Sequence, residues 1–312
     1  MRPLQRRALV LLLSAGCAGS EPAPTPQLPA GGIWRSMAPM PDARQETATA
    51  VLGGRIFVIG GYDARGESSN SVFVYDPAAD AWSAAAPLPV GSDHLGAAVA
   101  RGRLFVFGGK SRAFAYDTAR DSWADVAPPR FPHADTPAVG VLDDRIYVAG
   151  GAGGAMVGSE TESYDPASDT WSMLAPMRVP RNHCAGAFIS GKFYVAGGRP
   201  GGAASRALEV YDPRADAWTR LLDMPTARSG LAAAAVKGRL YVFGGESPET
   251  FESFDDVEVF DPAADSWSRL APMPARRHGI FASMIGGDVY LPGGGARAGL
   301  APTRTNPVFL VQ

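Results

Sequence analysis

The sequence has 312 residues, with 29 Lys and Arg, 31 Asp and Glu, and a formal net charge of −2. This balance argues against a broad nucleic-acid-binding surface, which needs clustered excess Lys and Arg, and the length allows one large β domain or two ordinary domains. Gly (37) and Pro (27) make up about a fifth of the chain without low-complexity runs, which indicates many tight turns.

The first 17 residues have the order of a secretion signal. A charged region, a short apolar run and a small-residue segment before a cysteine follow one another: Arg2, Arg6 and Arg7, then residues 8–13, then Ser14, Ala15, Gly16 and Cys17. The apolar run is too short to span a bilayer. The end of the segment resembles a bacterial lipobox, in which the cysteine becomes lipidated, although Ser14 stands where that family has Leu.

This resemblance implies an exported protein that is anchored at the bacterial envelope through Cys17. Ala18 after the cysteine favours the outer membrane, on its periplasmic or cell-surface side, and cleavage to a soluble secreted protein is the alternative. Residues 18–32 are rich in Pro and Ala, which predicts a semi-extended linker. Cys184 is the other cysteine, and we expect it to be a small buried residue of a strand.

A repeated pattern fills the rest of the chain. A Gly-Gly pair ends an apolar run six times, at Gly61, Gly109, Gly151, Gly198, Gly245 and Gly294. Downstream, an aromatic residue is followed by a tryptophan at a constant spacing in five copies: Tyr75/Trp82, Tyr116/Trp123, Tyr164/Trp171, Tyr211/Trp218 and Phe260/Trp267. The turn between them carries two aspartates in every one of these copies, which favours a turn role over paired catalytic carboxylates.

These features resemble the Kelch repeat over residues 33–312. The resemblance implies an all-β fold, a six-bladed Kelch-type β-propeller, with blades at about 44–88, 92–129, 133–177, 181–224, 228–273 and 277–312. In the last copy Phe309 stands at the aromatic position and no tryptophan follows it, whereas Trp34 begins a segment similar to the one at Trp267. We therefore expect residues 33–38 to complete the last blade and close the ring.

Residues that break the repeat are the candidates for function. Strand direction alternates, so the loops after the Gly-Gly pairs and the loops that lead into each blade share one face. Ligand-binding candidates on this rim are Arg44, Tyr62, Lys110, Arg181, Arg199, Arg228, Glu246 and Arg277. Because a guanidinium group binds carboxylates with two parallel hydrogen bonds, the arginines predict a basic mouth for an acidic or polyhydroxy ligand. The alternative is a solvated rim, or arginines bonded to neighbouring carbonyl groups.

The four histidines lie near the same rim, at His94, His133, His183 and His278. Counted back from the Gly-Gly pairs, only His94 and His183 share a register, and His278 is one residue out. Because the four come from four blades, we expect no metal site. We also expect no cofactor, since the Gly-Gly pairs end strands and do not open helices as phosphate-binding loops do.

The pattern favours a non-enzymatic binding module, a monomer without a nucleic-acid partner, that recognises a protein segment or a glycan through this face. One alternative is a sugar mutarotase or epimerase, because periplasmic sialic-acid mutarotases are similar in size and blade number. Glu246 and a rim arginine would then supply the acid and base. The other alternative is a structural envelope spacer.

The three functions predict different rims. A pocket in which Glu246 converges on Arg199 or Arg228 would favour chemistry. A shallow basic ring would favour binding, and a rim whose charges all pair with each other would favour the spacer.

Overall fold

The computed structural model describes residues 31–109 and 112–312, and this part of the chain is all β structure. The predicted secretion signal, Cys17 and Lys110 lie outside the described residues. The strands are β1 (Gly32–Met37), β2 (Ala48–Leu52), β3 (Arg55–Ile59), β4 (Val72–Asp76), β5 (Ala81–Ala85), β6 (Leu95–Ala100), β7 (Arg103–Gly108), β8 (Arg112–Asp117), β9 (Ser122–Val126), β10 (Ala138–Leu142), β11 (Arg145–Ala149), β12 (Ala152–Gly153), β13 (Met156–Val157), β14 (Thr161–Asp165), β15 (Thr170–Leu174), β16 (Ala185–Ile189), β17 (Lys192–Ala196), β18 (Leu208–Asp212), β19 (Ala217–Arg220), β20 (Ala232–Val236), β21 (Arg239–Phe243), β22 (Glu246–Ser247), β23 (Glu252–Ser253), β24 (Val257–Asp261), β25 (Ser266–Arg269), β26 (Ser283–Ile285), β27 (Asp288–Tyr290) and β28 (Asn306–Val311). Within the described ranges, no helix could cross a membrane.

The strands form six antiparallel sheets of four strands, which are the blades of a propeller. In order from the inner to the outer strand they are β2-β3-β4-β5, β6-β7-β8-β9, β10-β11-β14-β15, β16-β17-β18-β19, β20-β21-β24-β25 and β26-β27-β28-β1. Two short hairpins, β12-β13 and β22-β23, extend the loops of the third and fifth blades. The inner strands of adjacent blades contact one another, so their small residues, such as Ala97 and Ala234, lie around the axis.

The sixth blade joins the two ends of the described chain. Strand β1 pairs with β28 so that Trp34 lies opposite Phe309, and the two rings are 5.0 Å apart between centroids. Trp34 also packs edge-on against Phe243 of the fifth blade at 6.0 Å. The prediction of a six-bladed propeller closed by the N-terminal strand is therefore confirmed.

The Gly-Gly pairs connect each blade to the next one. Gly60 and Gly61 have φ values of 64° and 84°, a region that favours glycine. The Gly61 amide donates to the Ser92 carbonyl of the second blade at 2.9 Å, and a Cβ on Gly60 would collide with that same oxygen. The bond from Gly294 to the Arg44 carbonyl, at 2.8 Å, repeats this contact between the last and first blades.

The repeated Tyr, Asp and Trp residues hold the outer strands together. The Tyr75 hydroxyl donates to Asp80 at 2.6 Å, and the same carboxylate accepts the Ala38 amide at 2.7 Å. The Trp82 indole donates to the Ala38 carbonyl at 2.8 Å. Because Ala38 belongs to the sixth blade, these contacts join neighbouring blades, and the recurring aspartates have structural partners.

Candidate functional site

A closed ring of backbone hydrogen bonds passes through all six blades, immediately before or near the first strand of each. The bonds run from the amide of one blade to the carbonyl of the blade before it, at 2.8–3.2 Å: Glu46 to Gly279, His94 to Glu46, Thr136 to His94, His183 to Asp135, Gly230 to His183 and Gly279 to Gly230. In the third blade the adjacent residues Thr136 and Asp135 share this role, because Thr136 supplies the amide and Asp135 supplies the carbonyl. A cycle through six radial blades must encircle the propeller axis, so we call these residues the axial ring.

The backbone of the axial ring is left-handed. Glu46, His94 and His183 have φ values of 52°, 54° and 50°, close to those of the ring glycines Gly230 and Gly279, at 60° and 58°. A residue with a side chain loses about 1–3 kcal/mol in such a conformation, and glycine loses almost nothing. Two blades show that glycine satisfies the scaffold here. Asp135 and Thr136 of the third blade are left-handed as well, at 57° each, so the conformation alone assigns no role, and Glu46, His94 and His183 are candidates for function because of where their side chains lie.

These side chains form the floor of a pocket at one mouth of the axial channel. The pocket has a volume of about 380 Å³. Its lining residues come from five blades: Gln45, Glu46, Tyr62, Gly66, His94, His183, Arg199, Glu246, His278, Gly299 and Leu300. A Cβ on Gly279 would collide with the Glu46 carboxylate, so the ring glycine leaves the space that this carboxylate occupies.

Glu46 lies between two imidazoles. Its carboxylate oxygens are 3.6 Å from His94 Nε2 and 3.6 Å from His278 Nδ1, and its side chain is buried. Burial alone would raise the pKa of Glu46, but His94 and His278 outweigh it and hold that pKa well below its ordinary value. In return, Glu46 raises the pKa of both histidines against the opposing effect of burial.

Two further polar side chains, Asp93 and Asn182, fix the rings of His94 and His183. Asp93 Oδ1 is 2.5 Å from His94 Nδ1, which turns His94 Nε2 towards Glu46. Asn182 Oδ1 is 3.1 Å from His183 Nδ1. Burial lowers the pKa of His183 well below its ordinary value, so its imidazole is neutral at neutral pH. Its ring lies against that of His94, with 4.9 Å between centroids.

A charged pair forms the opposite wall of the pocket. Arg199 donates to Glu246 through its guanidinium and to the Ser229 hydroxyl at 2.9 Å. His278 donates from Nε2 to the carbonyl groups of Arg297 and Gly299, at 2.9 and 3.0 Å, and so positions the loop that carries Leu300. Burial and the nearby Asp93 carboxylate raise the pKa of Tyr62, at the rim, to about 12, so it is a neutral hydroxyl.

Three of the predicted rim residues meet in this pocket. Tyr62, Arg199 and Glu246 all line it, although they come from three blades. Glu246 converges on Arg199 and not on Arg228. A glutamate that converges on an arginine inside a pocket is the arrangement expected for chemistry, and it is equally a polar binding site.

The remaining predicted arginines differ from the expectation of an open basic mouth. Arg44, Arg181, Arg228 and Arg277 are buried, at 6%, 0%, 0% and 4% exposure. Arg277 donates to the Gly293 carbonyl at 2.9 Å, and Arg228 to that of Gly244 at 2.8 Å. This is the alternative of arginines bonded to neighbouring carbonyls, and none of the four lines the pocket. Burial of the Arg277 guanidinium lowers its pKa to about 10.

Two of these arginines have buried carboxylate partners on the third strand of their own blade. Arg181 lies 3.1 Å from Glu209, and Arg228 lies 2.7 Å from Glu258, with all four side chains fully buried. In the third blade His133, not an arginine, lies 3.4 Å from Glu162 in the same arrangement. His133 is therefore part of the scaffold.

Three of the four histidines meet at the axis, although the sequence places them in different blades. His94, His183 and His278 line one pocket, and ligand atoms of Glu46, His94 and His183 lie within 4.8 Å of one another. The register count treated the segment before the first strand as extended, whereas its left-handed residues turn the side chains towards the axis. Glu46 stands as far before its Gly-Gly pair as His94 and His183 do before theirs, which is the signal that could have identified the group.

Comparisons with known proteins agree with this architecture. The family described as the KLHDC2/KLHL20/DRC7 Kelch-repeats domain matches residues 33–178 and 114–295. A 49-residue segment is 37% identical to Kelch-like protein 35 of Mus musculus, but this match spans 16% of the chain and only 8% of the mouse protein. The structure titled "Structure of YjhT" superimposes with a TM-score of 0.75 and 15% identity, over 86% of this chain and 95% of the other, which shows the shared fold.

Proposed function

Because the chain belongs to the KLHDC2/KLHL20/DRC7 Kelch-repeats domain family, we propose that it is a binding module and that its axial pocket holds the terminal sugar of a glycan. The observation that supports this most strongly is the pocket itself, a concavity of about 380 Å³ in which polar side chains from five blades converge. Small-molecule sites have volumes of about 300–1,000 Å³ and combine apolar surface with a few placed polar groups.

The lining suits a polyhydroxy ligand. Each sugar hydroxyl both donates and accepts hydrogen bonds, so a sugar site needs both kinds of partner. Arg199 supplies donors and Glu246 supplies acceptors, while the Gln45 amide bonds Gly299 and Ala301 and so holds the loop that carries Leu300. Tyr62 and Leu300 add apolar surface at the rim for the carbon face of a sugar ring.

The two other interpretations fit the geometry less well. Interfaces between folded proteins commonly bury about 800 Å² on each partner, which is more than one concave site of this size provides, so the pocket favours a glycan over a protein surface. A structural spacer gives no reason for a pocket in which polar side chains of five blades converge.

Replacing Arg199 with Gln is expected to weaken glycan binding by about ten- to a hundred-fold, because a charged hydrogen bond contributes about 1.5–3 kcal/mol. The measurement is isothermal titration of residues 31–312 with the best saccharide from a glycan array. Arg55→Gln is the matched control, because Arg55 is exposed and paired with Asp76 away from the pocket. Equal affinity of Arg199→Gln and wild type, or recognition of peptides and no saccharide on parallel arrays, would remove this proposal.

A second candidate function is interconversion of the sugar that binds, by ring opening and closure. It is favoured by the convergence of Glu246 on Arg199 and by the position of Glu46 between His94 and His278, since these groups can donate and accept protons in one cavity. Exchange between anomers, followed by NMR magnetisation transfer on the bound sugar, tests it. Faster exchange with wild type than with Glu246→Gln would support catalysis, and exchange at the buffer rate would leave binding alone.

We also propose that the propeller is exported and held at the envelope by lipidated Cys17. The charged region, the apolar run and the small residues before Cys17 support this. Cys17→Ser is expected to move the full-length protein from the membrane fraction to the soluble fraction, because a lipid chain supplies most of the membrane affinity. Identical fractionation of the mutant and wild type would contradict the anchor.

A further inference from the structure

We propose that the floor of the axial pocket binds one divalent transition-metal ion of the zinc class, with Glu46, His94 and His183 as its ligands. His278, whose Nδ1 faces the second oxygen of the Glu46 carboxylate, would complete the set as a fourth ligand. Such ions prefer a donor set of two or three imidazoles and one carboxylate, next to a cavity from which a further ligand can reach the ion. This inference goes beyond the proposed glycan binding, because the ion would bind whether or not a sugar is present.

The distances between the donor atoms fit one ion. Ligand atoms of Glu46, His94 and His183 lie within 4.8 Å of one another, and Glu46 oxygens lie 3.6 Å from His94 Nε2 and from His278 Nδ1. Two ligands that are each about 2.1 Å from a tetrahedral ion are about 3.4 Å apart. The contacts at 3.6 Å are therefore too long for hydrogen bonds and close to the separation that a shared ion imposes.

Hydrogen bonds behind the rings present the correct nitrogen atoms. Asp93 contacts His94 Nδ1 at 2.5 Å, and Asn182 contacts His183 Nδ1 at 3.1 Å, so both Nε2 atoms are left for the cavity. Asp93 is itself held by the Ser68 hydroxyl. A carboxylate or amide oxygen behind a ligating histidine fixes its tautomer and strengthens it as a ligand.

His278 supplies an independent observation. Its Nε2 faces two carbonyl oxygens and therefore carries the hydrogen, while Nδ1 is buried and has no hydrogen-bond partner. That nitrogen lies 3.6 Å from Glu46 and 3.4 Å from Glu246. A cation held by Glu46 would give this buried nitrogen the partner that it otherwise lacks.

The left-handed ring positions are explained by the same site. Metal coordination releases enough free energy to outweigh the conformational cost of three non-glycine residues. Gly230 and Gly279, at the remaining side of the ring, leave the coordination sphere open towards the cavity. A hydroxyl or carboxylate of a bound ligand would reach the ion from there.

The test is titration of tag-free, EDTA-stripped residues 31–312 with Zn²⁺ in the absence of sugar, followed by calorimetry. We expect one ion per chain in the wild type, and a loss of affinity of more than about ten-fold in Glu46→Gly and in His183→Gly, since even outer-shell changes cost about 10–100-fold. Glycine occupies this ring position in two blades, so both variants are compatible with the fold. Ser190→Gly is the matched control, because it makes the same change at a left-handed residue that is exposed and lies away from the pocket, and its affinity should equal that of the wild type.

A wild type without a saturable site, or variants that bind Zn²⁺ as tightly as the wild type, would overturn the metal site. Anomalous scattering from Zn²⁺-soaked wild-type crystals provides a measurement without mutation, with a peak expected among Glu46, His94 and His183. Arg199→Gln separates the two proposals, because it should lose the glycan and keep Zn²⁺. If the wild type binds the glycan in EDTA but shows no Zn²⁺ site, the metal proposal fails and the proposed glycan binding stands.

Discussion

Deletion of residues 33–40 is expected to lower the melting temperature of the domain by at least about 10 °C, because it removes at least about 5 kcal/mol of stability from a large domain. The deletion takes the outer strand from the sixth blade and leaves β28 as an unpaired edge. It also removes Met40, which is 0% exposed, and Trp34, which packs on Phe309 and Phe243. A fully buried apolar side chain contributes about 1.5–3 kcal/mol, and each lost strand hydrogen bond about 1 kcal/mol.

A point variant on the same strand controls for general damage. Ile33 is 56% exposed, so Ile33→Ala should change the melting temperature little. Thermal denaturation followed by circular dichroism measures both variants against residues 31–312. A deletion variant that melts at the wild-type temperature would show that the ring does not depend on the N-terminal strand.

Arg228→Met is expected to destabilise the domain by about 3–5 kcal/mol, because it removes the fully buried charged partner of Glu258 and leaves this carboxylate only the largely exposed Arg269. Glu258 is 0% exposed and bonds Arg228 at 2.7 Å, and the same guanidinium donates to the carbonyl groups of Gly244 and Asp256. Urea denaturation measures the change in the free energy of unfolding.

The double variant Arg228→Met/Glu258→Leu is the control, since removing both charges should recover most of the lost stability. Glycan binding by Arg228→Met, measured below its unfolding transition, should equal that of the wild type, because Arg228 does not line the pocket. A stable Arg228→Met that no longer binds the glycan would restore Arg228 as a ligand contact and contradict its structural assignment.

The architecture was predictable from the sequence because the same sequence motif, and with it the same blade structure, recurs six times. The Gly-Gly pairs, the spaced aromatic residues and the similarity of the Trp34 and Trp267 segments place the blades and the closing strand. These features depend on local backbone geometry and on contacts that recur in each blade.

The site was predicted only in part, because it depends on which residues of different blades meet at the axis. Arg44, Arg181, Arg228 and Arg277 share a register, but that register points into the blades, where Glu209 and Glu258 lie. The two glutamates stand two residues before Tyr211 and Phe260, so a buried partner on the third strand could have been found. The left-handed turn that brings Glu46, His94 and His183 together has no signal in a single blade and shows only in the comparison with Gly230 and Gly279.

The most direct test of the axial pocket is ¹⁵N NMR of the four imidazoles in metal-free protein, before and after addition of the best saccharide. Three histidines line the pocket, and His133, at 0% exposure in the third blade beside Glu162, serves as an internal reference. We expect the signals of His94, His183 and His278 to shift together with saccharide concentration while that of His133 stays in place. Saturable binding that leaves all four signals unchanged, or moves His133 alone, would contradict the assignment of the ligand to this pocket.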